Sequence, residues 1–169
     1  GDVHFGDWGT PIGMLIAQKQ IEEGDFFAGN FEENVKKIIP IDEMSALYKR
    51  ASTSFKENAD FGNLAREATF ELQQGNPKYL KFWQMLREVS VEAVRKVYDS
   101  LDVDFEYWYG ESDVNDLLPI IEKDLEEKNL LVVGEGGAKI VWLPPKDKDA
   151  PNPPLMYRKS DGGYTYAAT

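Results

Sequence analysis

The sequence predicts an α/β protein interrupted by a helical bundle, and three observations carry that reading. The chain opens on a strand-like run, Asp2-Val3-His4-Phe5, which turns through Gly6 and Gly9 towards a helix. Its middle keeps apolar residues at steps of three and four, the spacing of buried helical faces. Its last third changes period to short β-rich runs punctuated by glycine. A strand, a glycine turn and a helix start in succession form the kind of junction at which open α/β sheets face ligands.

In order, Thr10 is the expected N-cap of the first helix, with Pro11 at its first position. Met14, Leu15, Ile16 and Ile21 form its apolar side, and it fades at Glu22-Glu23-Gly24. Residues 25–30 read as a loop and 31–38 as a short helix that Pro40 interrupts. Asp42 is the expected cap of a helix through Met44, Leu47, Tyr48, Ala51 and Phe55. After Asn58-Ala59-Asp60, a further helix carries Leu64, Ala65, Ala68 and Leu72. Gly75-Asn76-Pro77 starts the longest helix, to Leu101, with its stripe at Tyr79, Phe82, Trp83, Leu86, Val89, Ala93, Val97 and Leu101. Successive helices of this kind pack as a bundle.

Residues 103–109 are β-rich and predict a strand. Ser112 or Asp113 is the expected cap of a helix from about Val114 to Lys128, with Leu117, Leu118, Ile121 and Leu125 as its face. Leu130–Val133 and Ala138–Leu143 predict a hairpin turning at Glu135-Gly136-Gly137. Five prolines between Pro144 and Pro154 mark an extended surface loop. Leu155–Arg158 and Tyr164–Tyr166 predict a closing hairpin with Asp161-Gly162-Gly163 at its tip.

Composition narrows the chemistry. The 169 residues suffice for one core or little more. No cysteine and a single histidine, His4, exclude thiolate and His-rich metal centres, so no metal ligand set is expected. No apolar run approaches the ~20 residues of a membrane span, and the opening residues are not a signal sequence, so a cytoplasmic location is expected. The net charge of −11 opposes long-range attraction to nucleic acid. A chain forming one wall of a site whose basic surfaces lie elsewhere reconciles that charge with an RNA partner. Both ends look cut, which leads us to expect a piece of a longer polypeptide whose open strand edges invite pairing between two copies.

Three stretches could carry chemistry. In the first, His4 precedes Asp7 and Trp8. Asp7 reads as a turn carboxylate bonding backbone N–H groups. Trp8, an indole between a turn aspartate and a glycine, can stack on a base or sugar or pack as a lid. In the second, Trp108-Tyr109-Gly110-Glu111-Ser112, Glu111 follows a strand end and can receive an ammonium or guanidinium, or cap the next helix. Glu106 and Glu111 beside Tyr107, Trp108 and Tyr109 also admit a glycosidic reading. The third, Arg158-Lys159-Ser160-Asp161-Gly162-Gly163-Tyr164, does not fit a phosphate loop, since no GxxxxGK[ST] exists.

In this order, the stretches resemble bacterial-type class I arginyl-tRNA synthetases. His4 to Gly13 resembles that family's HxGDWGxxxG. Trp83, Ser90, Tyr98, Leu101, Val103, Phe105 and Gly110-Glu111-Ser112 resemble its W…S…YxxLxVxFDxYxGES, with Glu106 in place of the aspartate and Trp108 in place of the tyrosine. Gly136-Gly137-Ala138 with Val141 and Leu143 resembles its GA-containing hairpin, and Arg158 to Thr169 its RKSDGxYTYxxTD without the final aspartate. Residues 25–75 match least distinctively.

The resemblance implies part of a Rossmann-type catalytic domain: 1–24 a strand–turn–helix piece, 25–101 an inserted helical bundle, 102–169 a return through strand, helix and small β hairpins. It implies a parent enzyme that activates arginine with ATP, accompanied by Mg2+, and transfers it to the terminal adenosine of tRNA(Arg). Glu111 and Tyr166 would then line the arginine pocket, and Trp8 would lie near the tRNA end. The two-histidine signature and the KMSKS-like loop of class I activation are missing. No catalytic residue is therefore assigned, no cofactor is expected on the isolated chain, and it should be inactive alone. A free-standing, non-catalytic binding module is the alternative.

Overall fold

A computed structural model describes residues 4–35, 39–145, 152–160 and 162–168, without the side chains of Glu135 and Tyr166. Asp2 and Val3 of the opening strand, the end of the short helix at 36–38, most of the proline-rich loop and the hairpin-tip Asp161 lie outside the described residues. The elements are β1 (His4–Phe5), α1 (Thr10–Glu22), α2 (Phe31–Asn34), α3 (Ile41–Glu57), α4 (Ala59–Gln73), α5 (Pro77–Ser100), β2 (Tyr109–Gly110), α6 (Glu111–Val114), α7 (Leu118–Glu127), β3 (Leu131–Val133), β4 (Lys139–Val141) and β5 (Leu155–Arg158). Short 3-10 turns cover Asn115–Leu117, Glu135–Gly137 and Tyr166–Ala168. The described residues form two compact units, one spanning Asp7–Trp108 and the other joining His4–Gly6 to Tyr109–Thr169.

The first unit is helical. Every residue of α1 from Gly13 to Lys19 is buried. A helix enclosed on all sides needs partners for its polar groups. Lys19 pairs with Glu23 at 2.6 Å and lies over the Phe26 ring. Gln18 donates to Glu22 and accepts from Ser54. Arg50 of α3 forks onto both oxygens of Glu22 at 2.6 and 2.9 Å, tying α3 to α1. Ile21, expected on the apolar side, does not share this environment: it is 58% exposed.

The main core joins Leu15 and Ile16 to Leu47, Ala68, Leu72, Phe82, Met85 and Leu86. Phe26 and Phe27, expected in a loop, turn inward and meet Phe82 edge to face at 5.4 Å each. The Lys78 ammonium accommodates this turn by donating to the Phe27 carbonyl at 2.5 Å.

Helix starts correct two expectations. Thr10 is already helical, and Gly9, in extended geometry, is the N-cap. Asp42 lies in the first turn of α3, behind Pro40 as N-cap. Asn58 and Asn76, not assigned as caps from the sequence, each accept two backbone N–H groups, and Pro77 begins α5 as expected. Tyr48 and Leu64 are exposed, whereas Phe61 is buried with Met14, Ala17, Ala51 and Ala65. The α5 stripe is core only over its first half: Phe82 is fully buried, but Val97 and Leu101 are 58% and 63% exposed.

Residues 103–108 are not a strand. Their aromatic rings pack locally on α5, with Tyr98 meeting Phe105 at 4.9 Å and Trp108 at 6.0 Å, and Arg95 covering Trp108. Packing against a helix replaces the ladder that their β propensity suggests.

The second unit holds both sheets. Strand β1 pairs in parallel with β2, His4 opposite Tyr109 and Phe5 opposite Gly110. Strands β3, β4 and β5 form an antiparallel sheet in that order, so the predicted hairpin at residues 130–143 is present. The closing hairpin is reduced to one bridge, Arg158 with Tyr164, and Tyr166 falls in a 3-10 turn rather than a strand. The helix expected from Val114 begins earlier and is broken into α6, a 3-10 turn and α7. Neither Ser112 nor Asp113 is its N-cap; Gly110 is, and the Asp113 carboxylate accepts the Gly110 N–H at 2.7 Å. Of the expected α7 face, Leu118 is buried, while Leu117 and Ile121 are exposed.

Candidate functional site

The first unit contains the glycine turn with Trp8. Asp7 is buried, and its Oδ2 accepts from Arg87 Nε, a side chain of the helices, at 2.7 Å. Trp8 is half-buried, with its ring edge-to-face against Trp83 at 5.0 Å. Its carbonyl accepts from Gln73 Nε2 at 3.1 Å. Trp8 therefore packs as a lid on the core.

The second unit contains Glu111 and the backbone of Tyr166. Glu111 is 7% exposed and follows β2 directly. Gly6, which follows β1, faces it: a Cβ at Gly6 would stand 4.0 Å from Glu111 Oε1. A buried carboxylate thus sits where two parallel strands end, beside a residue without a side chain. His4, on β1, and Glu106, in the first unit, are both exposed.

The same unit holds a carboxylate that the sequence did not mark as functional. Glu122 of α7 is buried and draws in three donors: Lys139 at 2.5 Å, Arg158 at 3.3 Å to each oxygen, and the Tyr164 hydroxyl at 2.7 Å. Burial pushes its carboxyl up, but hydrogen bonds from Lys139 and Tyr164 and the charge of Arg158 outweigh it, leaving Glu122 below the usual carboxylate range. Burial and Glu122 together raise the Tyr164 phenol well above its ordinary value. Charged Glu122 thereby fixes Arg158, the first residue of the RKSDG stretch, and the residue two before Tyr166. The available signal was a glutamate four residues after Leu118, on the buried side of α7.

Trp83 and Arg87 are also functional candidates that sequence reasoning underused. Trp83 Nε1 donates to the Asp7 carbonyl at 2.6 Å. Their spacing of four on one helix was visible; their target, about 80 residues upstream, was not.

A parallel strand pair ending in a glycine turn and a buried glutamate, with helices inserted between the two strands, has the plan of a class I aminoacyl-tRNA synthetase catalytic domain. The family model "tRNA synthetases class I (R), catalytic domain" matches residues 2–169, and the chain belongs to this family. It is 38% identical over 172 residues to an arginine–tRNA ligase of Francisella tularensis subsp. holarctica, covering 99% of this chain and 29% of that protein. It is 39% identical over 166 residues to the arginine–tRNA ligase of Chlamydia abortus, covering 98% and 26%. The crystal structure of arginyl-tRNA synthetase from Plasmodium falciparum superposes with a TM-score of 0.69 at 27% identity, over 98% of this chain and 25% of that one. The chain thus spans less than a third of the length of these relatives. No helix among the described residues is long and apolar enough to cross a membrane.

Proposed function

We propose that this chain forms part of the catalytic domain of a cytoplasmic arginine–tRNA ligase, which joins arginine to ATP and passes it to the terminal adenosine of tRNA(Arg). The buried carboxylate of Glu111 at the ends of β1 and β2, beside Gly6, carries the reading. A fixed anion in that place suits a guanidinium or ammonium, which needs a charged acceptor once water is excluded. Tyr166, two residues after the anchored Tyr164, is assigned to the same arginine pocket on the strength of the RKSDGxYTY resemblance. Trp8, half-buried beside Trp83, is the residue assigned to the tRNA end.

Magnesium enters with the nucleotide. Among the described residues no group of three His, Cys, Asp or Glu side chains could hold a metal ion. Adenylation needs developing phosphate charge to be stabilised, and this segment contributes neither a second histidine nor a lysine loop for that purpose. Its part is to hold arginine and the acceptor end, and alone it should not catalyse.

The test uses the full polypeptide that carries this segment. Glu111→Gln should raise the KM for arginine about tenfold or more in charging of tRNA(Arg), with the KM for ATP unchanged. An unchanged arginine KM would overturn the assignment of Glu111, and failure of the unaltered protein to charge tRNA with arginine would overturn the function.

A further inference from the structure

The glycine turn is held from one side by the helices of its own unit. Gln73 of α4 donates to the Trp8 carbonyl at 3.1 Å, and Trp83 of α5 donates to the Asp7 carbonyl at 2.6 Å. Arg87, one turn further along α5, donates from Nε to Asp7 Oδ2 at 2.7 Å and from Nη2 to the Trp108 carbonyl at 3.1 Å. The Trp8 and Trp83 rings stand at 80° to each other. Helix α5 thus fixes the backbone, the carboxylate and the aromatic ring of the Asp7-Trp8 pair together.

A brace serving only the fold would not need this chemistry. The Asp7 side chain is 9% exposed and that of Arg87 26%, so both charges give up much of their hydration. A well-packed apolar pair in the same place would stabilise as well or better. The ion pair supplies direction instead. A planar guanidinium reaches a carboxylate and a carbonyl at once and holds both at fixed angles, which an ammonium cannot do.

We infer that Arg87, together with Trp83, is a positioning residue for Trp8: α5 sets the plane of the Trp8 indole so that it is presented, already oriented, to a nucleobase. The inference rests on the synthetase reading above, in which that base is the terminal adenosine of tRNA. Neither residue touches the base; each acts through the turn. Pre-orientation of this kind is registered when the base docks, so it affects tRNA use and leaves ATP and arginine binding alone.

The experiment is Arg87→Lys in the full protein, which keeps the positive charge beside Asp7 but removes the fork. The expected result is a fall in kcat/KM for tRNA of about 10- to 100-fold, with the KM values for ATP and arginine unchanged. The exciton couplet of the Trp8–Trp83 pair, isolated in far-ultraviolet circular dichroism by difference from Trp8→Phe, should weaken in parallel. Trp83→Phe is the second variant: it keeps the aromatic packing, loses only the N–H to the Asp7 carbonyl, and should impair tRNA use in the same direction. Unaltered tRNA kinetics in Arg87→Lys or Trp83→Phe overturn the inference and leave the synthetase reading standing. Failure of the unaltered protein to charge tRNA(Arg) overturns that reading, and the inference with it.

Discussion

Gly13 of α1 lies against the backbone of Ala65 in α4. A Cβ at Gly13 would stand 2.2 Å from the Ala65 carbonyl oxygen and 2.0 Å from Thr69 Oγ1, which itself donates to that carbonyl at 2.7 Å. Ala17, Ala65 and Ala68 continue the same close crossing. Alanine at position 13 would gain about 1 kcal/mol of helix propensity but force the two backbones apart. Gly13→Ala should therefore destabilise by a net ~1–3 kcal/mol, measured by urea unfolding. A variant as stable as the parent would show that the two helices can separate without cost.

Glu122 should make the second unit acid-sensitive. Its folded-state carboxyl lies below the usual range, so the charged form stabilises the fold. That contribution is present above the unfolded value of about 4.3 and is lost as pH falls through the lower folded value. Glu122→Gln should cost about 2 kcal/mol at neutral pH and leave a shallower loss of stability on acidification. Parallel acid titrations of parent and variant check this; equal slopes below pH ~4.3 would remove Glu122 from the account.

The two asparagine caps offer a cleaner comparison. Asn58 Oδ1 accepts the Asp60 and Phe61 N–H groups at 2.9 and 3.2 Å, whereas Asn76 Oδ1 accepts those of Lys78 and Tyr79 at 3.1 and 3.4 Å. Asn58→Ala should cost about 1 kcal/mol by chemical denaturation, and Asn76→Ala less, because its second bond is long. The reverse order would mean that bond length at these caps does not set their strength.

Much of the helical unit was legible because its signal is periodic. Leu47, Ala51, Ala65, Ala68, Leu72, Phe82 and Leu86 fall at the predicted steps and are buried. The breaks at Asn58 and Asn76 were legible, though not that each asparagine caps the helix after it. Capping was misread at Thr10 and Asp42, because a short polar side chain suits a first turn as well as a cap, and the extended residues were Gly9 and Pro40. Residues 103–108 carry β-formers, but among the described residues no neighbouring strand offers them a ladder, and the Phe105 and Trp108 rings meet Tyr98. At the candidate site, Glu111 stood out in Gly110-Glu111-Ser112, a short local signal. The partners of Asp7 and Glu122 are set by long-range packing, and local sequence holds no trace of which arginine will arrive.

The parallel register of His4 with Tyr109 also has a consequence for biosynthesis. The two strands are separated by about a hundred residues, so at 5–20 residues per second β1 waits roughly 5 to 20 s on the ribosome before its partner exists. Helix α1 waits less, until α3 and α4 emerge, but it does so with a surface that will later be enclosed on nearly every side. Nascent chains of this protein therefore pass through an interval in which the most enclosed helix is also the most adhesive one. That interval is when a ribosome-bound chaperone would do the most good.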